Sequence, residues 1–71
     1  MNARLDSIAD RLDLIAQDIA DMAIAELRTA VRRGDQKRPT SERTLTQARR
    51  AVDKAAHLLR SLEHDGADND Q

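Results

Sequence analysis

Leu5, Ile8, Leu12, Ile15, Ile19 and Met22 follow one another at alternating steps of three and four residues. No strand can use that spacing, whereas an α-helix places all six on one stripe. This is a heptad seam with Leu5, Leu12 and Ile19 at position a and Ile8, Ile15 and Met22 at position d. Ala9, Ala16, Ala23 and Ala30 recur at strict seven-residue intervals at the adjoining position e. The predicted first helix therefore carries a bulky seam beside a smooth alanine stripe, an apolar face wide enough for a bundle. The seam ends where Glu26 and Thr29 take the next two positions. Glu26 is either a buried residue that fixes register, against Arg49, or an exposed residue beyond the end of the seam.

A second seam lies further along the chain. Leu45, Ala48, Val52, Ala55, Leu59 and Leu62 hold a/d spacing, with Ala51 and Leu58 at position g. Alanine at both central d positions invites close approach of another helix. Between the seams, Gly34-Asp35-Gln36-Lys37-Arg38-Pro39-Thr40 is the one internal breaker cluster, a glycine placed to end a helix and a proline placed before the next start. Thr40 or Ser41 is predicted to N-cap the second helix, with Glu42 in its first turn. The expected organisation is a helix over about 3–33, a loop over about 34–40, a helix over about 41–64 and a disordered acidic tail at 65–71. Residues 1–64 form the hairpin domain.

The short connection makes the helices antiparallel. Two registers pair every a with a d. In one, Leu12 faces Leu62 and Met22 faces Val52. In the other, Leu5 faces Leu62, Ile8 faces Leu59 and Met22 faces Leu45, and the loop must run back by about one heptad. We favour the second, because it uses all twelve seam residues. A two-helix hairpin cannot surround its own core, and a chain of 71 residues without cysteine has no disulfide to compensate. The fold class expected is all-α, an antiparallel two-helix hairpin assembling into a four-helix bundle. The partner expected is a second copy, in a homodimer, or failing that a different helical protein. The surface assigned to the core and the oligomer is Leu5, Ile8, Leu12, Ile15, Ile19, Met22, Leu45, Val52, Leu59 and Leu62.

Net charge is −1, but the charges are segregated. Residues 1–27 sum to −4, residues 28–54 to +6 and residues 55–71 to −3. In a hairpin the loop end is then basic and the terminal end acidic. The basic group, Arg28, Arg32, Arg33, Lys37, Arg38, Arg43, Arg49 and Arg50, either orients the assembly by complementarity or binds phosphate, nucleic acid or an acidic partner. A nucleic-acid-binding regulator using this end is the alternative to the leading reading, a non-enzymatic interaction module serving as a small regulator, adaptor or complex subunit.

Catalytic chemistry finds no support. Cysteine and aromatic residues are absent, and two glycines cannot build a phosphate loop. His57 and His64 lie two turns apart, about 10 Å, too far to share one metal ion. Asp53 and His57 are spaced as a solvated surface pair. Asp6, Asp10, Asp13, Asp18 and Asp21 fall off the seam, unlike the inward carboxylates of di-metal bundles. No cofactor, metal or small-molecule substrate is expected. The longest apolar run, Met22-Ala23-Ile24-Ala25, excludes a membrane span, and the charged start after Met1 predicts a cytoplasmic protein.

The Leu5–Met22 seam, the turn at Gly34 and the Leu45–Leu62 seam resemble in architecture the Rop family of plasmid RNA-binding hairpin dimers. The resemblance covers residues 3–64 and implies a dimeric four-helix bundle. That family binds paired RNA loops through its first helices, with basic and polar groups and an aromatic. Here the corresponding face carries Asp6, Asp10, Asp13 and Asp21, and the loop is longer, so no functional residue is carried over.

Overall fold

The computed structural model describes residues 2–68, with side chains described through Leu62. Two helices pack against each other, α1 (Ala3–Arg33) and α2 (Thr40–Asp68). No strand occurs among the described residues, and no helix there is long and apolar enough to cross a membrane.

Each end of α1 is set by local chemistry. The Asn2 side chain accepts hydrogen bonds from the backbone N–H of Arg4 and Leu5 at 3.0 and 3.3 Å, satisfying donors the helix leaves free. At the other end Gly34 turns left-handed (φ 78°, ψ 20°). The Asp35 N–H then donates to the Ala30 carbonyl at 2.9 Å and the Gly34 N–H to Val31 at 3.0 Å, a Schellman closure. A Cβ built on Gly34 would meet nothing within 4 Å, so an L-residue there meets backbone strain alone. Gly34→Ala is accordingly expected to cost about 1–2 kcal/mol in urea denaturation, and Gly34→Asn less.

The second helix departs from expectation at both ends. The Arg43 N–H donates to the Pro39 carbonyl at 3.2 Å, so the helix opens directly after the proline. The Ser41 hydroxyl does not cap; it donates to Glu26 Oε1 on α1 at 2.6 Å. At the far end α2 runs on through Gly66 to Asp68, past the end expected near residue 64. Glycine weakens a helix interior but ends a helix only when it turns left-handed, and Gly34 is the one described residue with positive φ. The expected tail residues 69–71 lie outside the described residues.

The hairpin meets along the alanine stripe. Among the described residues, Ala9, Ala16, Ala23 and Ala30 of α1 and Ala56 of α2 are the buried apolar ones, and no large side chain is fully buried. The a/d seams flank this line instead of filling it. Position e lies roughly 75° around the helix from the middle of the seam, at 100° per residue. Because the helices are antiparallel, both seams fall on the same side of the contact line. Two contacts mark the sides. Glu26 and Ser41, which continue the a and d rows, meet on the seam side. Arg60 reaches Asp10 and Asp13 at 2.9 and 2.8 Å on the opposite side. The Glu26–Ser41 pair also continues the register in which Leu5 is level with Leu62. The loop therefore runs back along the last turns of α1.

The resulting body measures 54 × 23 × 10 Å, two helices wide and one helix thick. Its radius of gyration, 16.5 Å, exceeds the roughly 11 Å of a compact domain of this length. Neither broad face of the hairpin is covered by a second layer.

Candidate functional interface

On the seam side the apolar surface is continuous and open. Ile15 is 47% exposed, Met22 57%, Leu58 55% and Leu62 56%. Leu5, Ile8, Leu12 and Ile19 of α1, with Leu45, Val52 and Leu59 of α2, are half-buried against the facing helix. Each of the ten seam residues named from the sequence thus borders one face, with Ala48 and Ala55 among them. The face is bulky along α1 and smoother along α2.

The eight basic residues do not form one cluster. Arg28, Arg32, Arg33, Lys37, Arg38 and Arg43 lie toward the loop end, but Arg49 and Arg50 lie beside the middle of α1, because the loop folds back before α2 begins. Arg49 pairs with Asp53 at 3.3 Å and lines a shallow open groove with Asp13, Ala16, Gln17, Ala20 and Asp53. Arg38 is held by Glu42, and an Arg32 Nη2 donates to Thr29 Oγ1 at 3.3 Å. Arg28, Arg33, Lys37, Arg43 and Arg50 have no ion-pair partner among the described residues. Residues 27–43 carry six basic and two acidic side chains, net +4, whereas residues 1–13 with 57–71 carry three basic and seven acidic, net −4. These sums are of the sequence; among the described side chains the basic loop end is the charged one.

Glu26 is half-buried and its partner is Ser41, not Arg49. The acid with the more constrained setting is Glu42, which stands on the α2 contact line, level with the alanines, and is 4% exposed. It accepts both Nε and Nη2 of Arg38 and the Thr46 hydroxyl at 2.8 Å. The Arg38 hydrogen bonds hold its carboxyl below the usual carboxylate range against the opposing effect of burial, and Thr46 adds to the lowering. A carboxyl lowered in the fold contributes stability above its unfolded pKa and loses it as pH falls through the folded value. Stability is thus expected to decline as pH drops below about 4.5, and Glu42→Gln to flatten that decline in urea midpoints measured against pH. The spacing of Arg38 and Glu42 at i,i+4 was visible in the sequence, but the proline between them concealed that they would share a turn.

No group of three or more His, Asp or Glu side chains arranged to hold a metal ion occurs among the described residues. His57 is exposed, and the His64 side chain lies outside those described. Comparison with protein-family models, with curated proteins and with solved structures returned no match.

Proposed function

We propose that the chain is a non-enzymatic, self-assembling helical-hairpin module in which two copies pack seam face to seam face as a four-helix bundle. The observation that carries this reading is that both seams lie on one open side of a hairpin one helix thick, whose buried apolar residues, among those described, are all alanines. Such a hairpin buries too little to stand alone. A second copy supplies the missing layer by two-fold symmetry.

Charge selects the orientation. With the two-fold axis crossing the helices at the seam centre, the +4 loop end of one copy lies toward the −4 terminal end of the other. First helices then pack on first helices. Leu5 meets the second copy's Met22, Ile8 its Ile19, and Leu12 its Ile15, so every a again meets a d. On the other pair Leu45 meets Leu62, Ala48 meets Leu59 and Val52 meets Ala55, each alanine opposite a larger residue. As an assembled bundle the protein acts as a small regulator, adaptor or subunit rather than as a catalyst.

The test is sedimentation equilibrium of the full chain through the low micromolar range. The expected mass is twice 7.9 kDa, with a thermal midpoint that rises with concentration. A fully helical monomer at these concentrations would overturn the reading.

A further inference from the structure

A second apolar surface lies on the side of the hairpin away from the seam. Ile24, Leu27 and Val31 follow at i, i+3 and i+7 near the end of α1, and are 46%, 36% and 74% exposed. By helical rotation Val31 and Ile24 point roughly 160–180° away from Met22, so a partner on the seam face leaves them uncovered. Arg28 follows Leu27 on the outer flank. Arg43, at position f of α2 and level with Ile24, borders the stripe from the other helix. Neither of these two guanidinium groups has an ion-pair partner among the described residues.

We propose that Ile24, Leu27 and Val31, flanked by Arg28 and Arg43, form a docking groove for an acidic amphipathic helix of another protein. Apolar side chains at i, i+3 or i+4, and i+7 of such a helix cover the stripe, while its flanking carboxylates meet the arginines, whose forked donors suit them. The alternatives fit less well. A nucleic-acid backbone supplies phosphate to the arginines but nothing to cover three aliphatic side chains, and no aromatic is present to stack a base. The chain's own acidic end, residues 63–71, offers carboxylates but no apolar side chain larger than alanine. The proposal does not rest on the dimer, since the groove belongs to one hairpin and faces away from the seam.

The probe is a fluorescent synthetic helical peptide of about 15 residues with leucines on one face and glutamates on its flanks. Its control has the same composition, rearranged so that the leucines share no face. Anisotropy titration against the full chain is expected to show saturable binding of the first peptide and at least about tenfold weaker binding of the control. Val31→Ser and Arg28→Glu, both outside the helix contact, are each expected to weaken binding about tenfold, and Val31→Ser to do so while leaving helicity and sedimented mass unchanged. Equal binding of the two peptides, or binding that Val31→Ser leaves intact, overturns the proposal. So does tight binding of an RNA duplex that survives Val31→Ser together with no binding of either peptide.

Discussion

Ile15→Glu is expected to weaken assembly at least about a hundredfold, converting the sedimenting species to monomer at low micromolar concentration. Ile15 is 47% exposed in the hairpin, so one copy accommodates a carboxylate there without strain. In the bundle Ile15 lies near the two-fold axis against the second copy's Leu12. Two carboxylates would then be desolvated close to one another, at several kcal/mol per dimer. Helicity should fall with the mass, because the separated hairpin holds little beyond its alanine line. The matched control is Leu14→Glu. Leu14 is 67% exposed and lies on neither apolar face, so its mass and melting should stay as in the parent chain. Identical sedimentation of the two variants would remove the seam face as the assembly surface.

Ala16→Leu carries the second large effect, acting inside the hairpin. Ala16 is 4% exposed on the line where α1 and α2 approach most closely. A leucine there has no space to enter unless the helices separate, which also pulls apart the contacts of Ala9 and Ala23. Overpacking of this kind costs about 1–3 kcal/mol. Ala25→Leu adds the same atoms on an exposed position of the same helix and should change stability by no more than about 0.5 kcal/mol. Urea midpoints for both variants decide the matter. If Ala16→Leu were as stable as the parent, the hairpin would be meeting along its leucine and isoleucine seam instead.

Much of the helix framework was legible because its causes are local. The three-and-four spacing of Leu5 to Met22 and of Leu45 to Leu62 admits only helix, and Gly34 followed by Pro39 admits only a break. Two local details were not legible. Asn2 is a strong capping residue, but one position before a long helix it competes with many equivalent starts. Gly66 carries a stop signal that depends on the backbone angle it adopts, and it adopts a helical one. Ser41 stands where the sequence predicts a cap. Its hydroxyl went instead to Glu26, a residue fifteen positions away that no local rule brings near.

The candidate interface was legible as a set of residues but not as an arrangement. Periodicity identified the seam and, beside it, the alanine stripe. It could not say which of the two turned toward the other helix, since a rotation of roughly a fifth of a turn exchanges them and leaves every spacing intact. The tertiary structure decided it. Alanine lets the two backbones come close, and contact along that line leaves the bulky seams side by side on one open face. Contact along that line also buried Glu42 under Arg38 and Thr46. The fold-back of the loop, which leaves Arg49 and Arg50 beside the middle of α1, is instead a matter of register, and the pairing of all twelve seam residues already favoured it. What the sequence alone determined was thus two helices, their break and the residues of their apolar faces, all consequences of interactions within a few residues. Which face closes the hairpin and which stays open depended on how nearly two helices can approach, a quantity that exists only once both are present.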